Sequence, residues 1–392
     1  MTHISIQRLM GACALALASL LSACGGTSST VKPLSTIVNS NIANARVIAF
    51  GDGLSDVGAG GFRYTVDDAS AGGSMTVAER FAFIYGFTTM SAVTDTRALA
   101  GGAYSYAQGE ARVSVAMTNG SGAAVAPLTD QVTNFLSHNT PGDNDLIIIT
   151  AGTRDIIYNA KQYFANAITA DQAKTNVAQA ATDLANVVQR LTTAGAKHVL
   201  IVGPFNVARM PWVFAAETTT HTFYPTFSDQ YNFVQQLSIL TSGDTSCSSF
   251  GCQLSQALVN RYPGTTYGQP VLLADIAQYF NLMTGTGAGG NDIYGRPFPN
   301  PTGNTNTYGI LTASGAAITN PDRPVCLSDI TASTLCSTTT ATIKHNDPQY
   351  NSGALLDYAT AIFADNYHLT PAANRMIADY IYNVTEYRAA WR

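Results

Sequence analysis

The residues of this chain that could do chemistry lie in short blocks far apart in the sequence. The blocks are Phe50-Gly51-Asp52-Gly53-Leu54-Ser55-Asp56, residues 104–113, Gly152-Thr153-Arg154-Asp155 and Asp365-Asn366-Tyr367-His368. A carboxylate that orients a histidine makes a general base, which can take a proton from a nucleophile. The last block therefore offers Asp365 and His368 as an acid–base pair, and the first block is the place to look for a nucleophile.

Together the blocks resemble the signature of the GDSL, or SGNH, esterases and lipases. Asp52, Leu54, Ser55 and Asp56 match the first family motif, and the Leu-Thr-Pro that follows His368 strengthens the match of the last. In the family the residue at position 53 is the nucleophilic serine, whereas here it is Gly53. Glycine has no side chain and cannot form an acyl-enzyme. The resemblance therefore implies a hydrolase fold without the atom that attacks an ester.

The two middle blocks resemble the family's oxyanion-binding motifs, also with departures. Gly109 matches a glycine whose N–H binds the oxyanion, but Glu110 replaces a second glycine. Arg154 stands where the family has an oxyanion-binding asparagine. Arginine is longer than asparagine and is always charged. Arg154 is therefore expected to bind an anion, to pair with Asp155 or another acid, or to extend into solvent.

Two roles remain open for the residues that keep their chemistry. Ser55 is a displaced nucleophile or, as its position favours, the cap of a helix that follows the strand. The pair of Asp365 and His368 either keeps a functional role or persists as a packed hydrogen-bonded pair. Asp52 is expected beside the pocket in either case.

The order of apolar runs predicts an α/β fold. Apolar runs at 47–50, 145–150, 198–202 and 271–274 are typical of buried parallel strands. Helices are predicted at 77–86, 171–193 and 371–387. On the family resemblance, we expect one three-layer α/β/α domain of flavodoxin-like type over residues 45–392, with a parallel sheet. The stretches 59–75 and 283–325 are predicted as loops or insertions.

The N-terminus resembles a bacterial lipoprotein signal. Arg8 precedes an apolar stretch that is too short to span a bilayer, and Leu21-Ser22-Ala23-Cys24 resembles a lipobox. Residues 1–23 are then the signal peptide, Cys24 is the lipidated residue and 24–44 is a polar tether. This predicts a bacterial cell-envelope location, with Gly25-Gly26 favouring the outer membrane. The alternative is an ordinary signal peptide cleaved near Ala23.

The remaining cysteines and the composition narrow the function further. Cys247 with Cys252, and Cys326 with Cys336, are the simplest disulfide pairs in an oxidising compartment. The two pairs are far apart and a metal site is not expected; no cofactor is predicted. Charged residues are only 11% of the chain and no basic run exists, which argues against a nucleic-acid partner.

These observations favour an exported pseudoenzyme of esterase–lipase fold that keeps a pocket for a small acyl, ester or glycan ligand. The first alternative is an active carboxylic-ester hydrolase that uses Ser55 or a water molecule activated by His368. The second alternative is a purely structural envelope lipoprotein, attached to the membrane through its N-terminal lipid.

Overall fold

A parallel sheet built from the most apolar runs of the chain lies at the centre of the fold. The protein is described here by a computed structural model covering residues 46–66, 74–120, 122–203, 205–215, 227–239, 246–263, 270–284, 320–324, 361–384 and 391. The six strands are β1 (Val47–Gly51), β2 (Ser91–Ala92), β3 (Ala103–Ser105), β6 (Leu146–Thr150), β7 (Val199–Val202) and β8 (Val271–Ala274). Their order is β2-β3-β1-β6-β7-β8, and every pairing is parallel.

Helices cover the sheet and complete a three-layer α/β/α arrangement. They are α1 (Val77–Ile84), α2 (Leu128–His138), α3 (Thr153–Phe164), α4 (Ala170–Thr193), α5 (Pro211–Ala215), α6 (Phe227–Ser238), α7 (Phe250–Arg261), α8 (Ala277–Thr284) and α9 (Pro371–Val384). Helix α4 packs against α2, α3 and α7, and α9 packs against α1. Strands β1, β6 and β7 consist almost entirely of apolar residues, and they are buried along their whole length between the helical layers. The predicted fold class is confirmed.

Local sequence explains where the main helices begin and which face they bury. Thr76 and Glu79 form a capping box at the start of α1, and the Thr169 hydroxyl caps α4. The apolar stripe predicted on α4 is buried as expected: Val177, Leu184, Val187, Val188 and Leu191.

Among the described residues, no helix is long and apolar enough to cross a membrane.

Smaller elements depart from the sequence-based expectations. A hairpin joins β4 (Met117–Thr118) to β5 (Ala124–Val125), and β9 (Asn320–Pro324) pairs in parallel with β10 (Ala361–Phe363). The stretch 283–325, predicted as a loop or an insertion, therefore contains a strand, β9. Its Asn-Pro-Asp-Arg-Pro sequence is typical of a turn, and the strand depends on its partner. Helix α9 begins at the predicted residue, and the described helix ends at Val384.

The cysteines are only partly within the described structure. Cys247 and Cys252 form the predicted disulfide, with a Cα–Cα distance of 5.3 Å. Cys326, Cys336, Cys24 and the predicted signal peptide and tether lie outside the described residues.

Gly51 generates a prediction about the end of β1. It has a φ of 121°, and a Cβ built there would lie 1.8 Å from the Thr150 carbonyl oxygen of β6. We expect Gly51→Ala to lower the free energy of unfolding by about 3 kcal/mol or more, because backbone atoms cannot move aside cheaply. Urea unfolding followed by circular dichroism measures this.

The matched control is Gly86→Ala. Gly86 also has a positive φ, 87°, but a Cβ there would meet no atom within 4 Å. Only the backbone conformation is penalised, so the expected loss is about 1 to 2 kcal/mol. Equal losses for the two variants would contradict the role assigned to the close approach of β1 and β6.

Candidate functional site

The Asp365–His368 pair is present as a buried, pre-organised unit between β10 and α9. His368 Nδ1 lies 2.9 Å from Asp365 Oδ2 and 3.0 Å from Oδ1. Asp365 Oδ1 also accepts the backbone N–H groups of Tyr367 and His368, at 2.7 and 2.8 Å. Asp365 thus holds the turn and the imidazole together. A hydrogen bond at Nδ1 to a carboxylate leaves Nε2 as the basic nitrogen.

That basic nitrogen faces the position where a nucleophile is missing. A Cβ built on Gly53 would lie 3.5 Å from His368 Nε2 and 3.1 Å from His368 Cδ2. A serine hydroxyl is one bond beyond Cβ, within hydrogen-bonding reach of Nε2. The structure therefore brings together the sequence-predicted residues Gly53 and His368, and it supplies a base without a nucleophile.

Ser55 does not fill this gap, and its expected role as a helix cap is wrong. Residues 52–66 form turns and no helix. The Ser55 side chain is fully buried and accepts a hydrogen bond from the Thr150 hydroxyl, at 2.9 Å. Its backbone carbonyl accepts from the Ser105 hydroxyl. Ser55 therefore ties the turn after β1 to β6 and β3.

Gly109 is also placed differently from the expectation. Its N–H donates to Asp56 Oδ2, at 2.7 Å, so it is not available to bind an oxyanion. A Cβ at Gly109 would lie 1.7 Å from the Tyr64 ring, which covers it. Glycine is needed here because Tyr64 packs directly on the backbone of this residue. The Tyr64 ring also contacts His368, and the two ring centroids are 4.9 Å apart.

Arg154 pairs with the other residue that departs from the family pattern. Its Nη2 donates to Glu110 Oε2, at 2.9 Å, and the Arg154 and Glu110 side chains are only 11% and 2% exposed. Glu110 has a φ of 70°, a conformation that a glycine adopts more easily. Burial raises the pKa of Glu110, and the charge of Arg154 opposes this rise. The two residues that depart from the expected oxyanion motifs are therefore the two ends of one ion pair.

Asp155, the next residue, has a structural role. Its two carboxylate oxygens accept from Arg112 Nε and from the backbone N–H of Val113, both at 2.9 Å. Arg154 therefore neither pairs with Asp155 nor extends into solvent. Its Cζ lies 5.5 Å from the Tyr367 ring centroid.

These groups surround a small cavity of about 30 Å³. Among the described residues, the cavity is lined by Gly53 and by the polar residues Asp52, Tyr64, Glu110, Thr153, Arg154, Tyr367 and His368. The apolar residues that line it are Leu54, Ile157, Phe205, Met210 and Leu369. Since one water needs roughly 10–15 Å³ measured in this way, the cavity has room for about two waters. Burial raises the pKa of Asp52 to about 6. Within the described residues, no cluster of side chains suits a metal ion.

Sequence reasoning missed the contacts that cross between blocks. Tyr64 lies in the stretch predicted as a loop, and only the structure shows it against His368 and Gly109. The pairing of Glu110 with Arg154 had a visible signal, since a new acid and a new base appeared together in two oxyanion motifs.

The buried pair generates a prediction about stability. Glu110→Gly and Arg154→Asn should each destabilise the fold by about 3 kcal/mol or more, because each leaves the other charge buried without a partner. The double variant should lose at least about 2 kcal/mol less than the sum of the single losses. Urea unfolding of the four proteins measures the coupling.

The exposed pair of Arg97 and Asp95 is the matched control. Its side chains are 46% and 62% exposed. Arg97→Gln and Asp95→Asn should therefore be additive within about 0.5 kcal/mol. Additive losses at Glu110 and Arg154 as well would contradict the pairing.

Comparison with known proteins agrees with the fold. A search among curated proteins finds no match. A family model described as GDSL-like Lipase/Acylhydrolase matches residues 47–381, which include Gly53, Arg154, Asp365 and His368. The match covers most of the 392-residue chain. The chain therefore belongs to the GDSL-like lipase/acylhydrolase family.

Proposed function

We propose that this protein is an exported lipoprotein in which the esterase fold has lost serine catalysis and serves as a pocket for a small acyl-bearing ligand. The observation that carries the proposal is the empty nucleophile position. His368 Nε2 is oriented by Asp365 toward Gly53, which has no hydroxyl to offer. In a triad enzyme, loss of the nucleophile costs about a million-fold in turnover.

The oxyanion region supports the same proposal. The Gly109 N–H is used by Asp56, and Arg154 with Glu110 replaces the uncharged donors of the family. Losing one oxyanion donor typically costs roughly 10²–10³ in kcat. The lining of the cavity nevertheless includes the apolar side chains of Ile157, Phe205 and Met210, which suit the methyl end of a small acyl group. An acetyl group on a glycan would present the same chemistry.

A second candidate is a hydrolase in which His368 activates water. The specific observation in its favour is a cavity that has room for water beside His368, whose Nδ1 is bound to Asp365 and whose Nε2 makes no hydrogen bond to the residues that the structure describes. His368 would take a proton from water, the hydroxide would attack the ester carbonyl, and the alcohol would leave with that proton. Ser55 is not favoured as a nucleophile, because it is buried and bound to Thr150.

Hydrolysis of p-nitrophenyl acetate and butyrate separates these candidates. The wild type should not exceed the background rate. Gly53→Ser should gain little, because its Cβ would lie 3.0 Å from Tyr64 Cβ and because Arg154 remains in place. Gly53→Ser combined with Arg154→Asn should gain more than the product of the single effects, since nucleophile and oxyanion donors act as a unit.

Two control variants make the assay decisive. Wild-type turnover that is lost in His368→Ala but kept in Ser55→Ala would favour activated water and overturn the pseudoenzyme proposal. Turnover that is lost in both would favour a displaced nucleophile. Any activity gained by Gly53→Ser should disappear when His368→Ala is added.

The membrane attachment is tested separately. We propose that Cys24 carries lipid at the outer membrane of a bacterial cell envelope, on the strength of the Leu21–Cys24 sequence and the Gly25-Gly26 that follows. Growth with an alkyne fatty acid should label the wild type and Cys13→Ala, but not Cys24→Ala. Cys13 is the matched control because it lies in the segment that is removed. Equal labelling of Cys24→Ala would contradict lipidation there.

A further inference from the structure

The turn that begins helix α3 is packed against an aromatic ring from another helix. A Cβ built on Gly152, the N-cap residue of α3, would lie 2.1 Å from Phe250 Cζ and 2.5 Å from Phe250 Cε1. The edge of the ring therefore occupies the space that any side chain at position 152 would need. Phe250 is the first residue of α7 and is buried. Together with the φ of 102° at Gly152, this contact requires glycine at the start of α3.

Gly152 in turn sets the position of Arg154. The Gly152 carbonyl accepts the Ile156 N–H at 3.1 Å and so closes the first turn of α3. Arg154 lies in that turn, and its Nη2 donates at 2.9 Å to Glu110, which belongs to a distant part of the chain. A charge-assisted hydrogen bond of this length tolerates little displacement of either partner. The contact between Phe250 and Gly152 therefore supports the pairing of Arg154 with Glu110.

The Cys247–Cys252 disulfide encloses Phe250 in a closed loop. Two hydrogen bonds support this loop: the Ser249 hydroxyl accepts from the Cys252 N–H at 3.3 Å, and Gln253 Nε2 donates to the Cys247 carbonyl. Cys247 has a φ of 50°, a left-handed conformation that is costly for a residue with a side chain. Such a conformation persists only where the surroundings hold it. Cleavage of the disulfide removes the covalent part of that restraint.

The body of α7 is held by contacts outside the disulfide loop. Leu254 and Leu258 are buried, and α7 packs against α4. Cleavage of the disulfide should therefore loosen the first turn of α7, where Phe250 lies, and leave the rest of the helix in place.

We infer that Phe250 is a positioning residue for Arg154, and that the Cys247–Cys252 disulfide holds it there, so that the Arg154–Glu110 pair is firmly held only in the oxidised protein. A dithiol reductant would reverse this state: it supplies two electrons and two protons, the S–S bond becomes two thiols, and the reductant becomes a cyclic disulfide. The inference goes beyond the proposed function, since it requires neither a ligand nor the loss of catalysis. In a cell it makes the altered site conditional on an oxidising compartment, the one point at which it rests on the proposed export.

The test measures hydrogen exchange at Arg154 itself. Arg154 Nε is buried, so its N–H exchanges with water only when the site opens and should give a resolved NMR signal. The signal is assigned by its absence from the double variant Glu110→Gln with Arg154→Gln. Reduction of the intact protein with dithiothreitol, confirmed by mass spectrometry of the alkylated thiols, should speed this exchange at least about tenfold. Unchanged exchange after full reduction would overturn the inference.

Helix α1 is the internal control, because it packs against α9 and begins at its own capping box. Its backbone amides should exchange at the same rate, within about twofold, in the oxidised and reduced proteins. An equal rise at α1 and at Arg154 would mean that reduction loosens the whole fold, and this result would also overturn the inference.

Variants separate the disulfide from the ring that it holds. Cys247→Ser combined with Cys252→Ser should reproduce the fast exchange at Arg154 and should no longer respond to dithiothreitol. Phe250→Ala should give fast exchange with the disulfide intact, and Phe250→Leu, which keeps an apolar side chain over Gly152, should restore most of the protection. Because the disulfide and the ring act through one contact, Phe250→Ala should add less than about twofold to the double serine variant. Independent, multiplying effects would overturn the link between them.

The matched control is Leu258→Ala, a truncation of another buried side chain on the same helix. It should lower the urea midpoint of unfolding but change exchange at Arg154 by less than about twofold, since local opening at α3 does not depend on it. Equal acceleration by Leu258→Ala and Phe250→Ala would show that Phe250 only supports α7, and would overturn its positioning role.

This experiment and the ester assay fail independently. Exchange at Arg154 requires no substrate, so ester turnover by the wild type would overturn the proposed function without affecting the exchange measurement. Unchanged exchange after reduction, with no ester turnover, would overturn the positioning role and leave the loss of serine catalysis standing.

Discussion

A buried arginine needs a carboxylate close by, and this constraint shapes the altered site. Arg154 lies where the family has a neutral amide donor, and Glu110 neutralises it across the cavity. Glu110 does so from a left-handed backbone conformation, at φ 70°, that glycine adopts more readily. Strain of this kind persists only when the surroundings compensate for it. The charged pair therefore holds Glu110 and Arg154 against each other in the lining of the cavity.

The parallel sheet explains why the four blocks still meet. Strands β1 and β6 are neighbours, so Gly53 and Arg154 both follow the carboxyl ends of strands at one edge of the sheet, where such sheets bind ligands. Asp365 holds His368 through its turn as well as through the imidazole. This double role gives the pair a structural reason to persist after the nucleophile is lost. Ser55, Thr150 and Ser105 tie the turn to the sheet beneath it.

The sequence was sufficient to predict the architecture, which depends on local patterns, and two of the key site positions, which follow from the family resemblance. Uniformly apolar runs predicted β1, β6 and β7, and the family resemblance predicted that Gly53 lies close to His368. The expectations that proved wrong, for Gly109 and Ser55, concern residues whose contacts are with distant parts of the chain. Gly109 is bound by Asp56 and covered by Tyr64, neither of which its own motif indicates. Ser55 caps no helix, since the residues after it form turns and its hydroxyl meets Thr150.

The central claim is that no side chain of the wild-type protein acts as an ester-attacking nucleophile at this site. The most direct measurement is intact-mass and peptide mass spectrometry after incubation with a serine-directed phosphonate. The account predicts no adduct on the wild type and an adduct at position 53 of Gly53→Ser, because His368 Nε2 faces that position. A wild-type adduct on Ser55, or on any other residue lining the cavity, would contradict it.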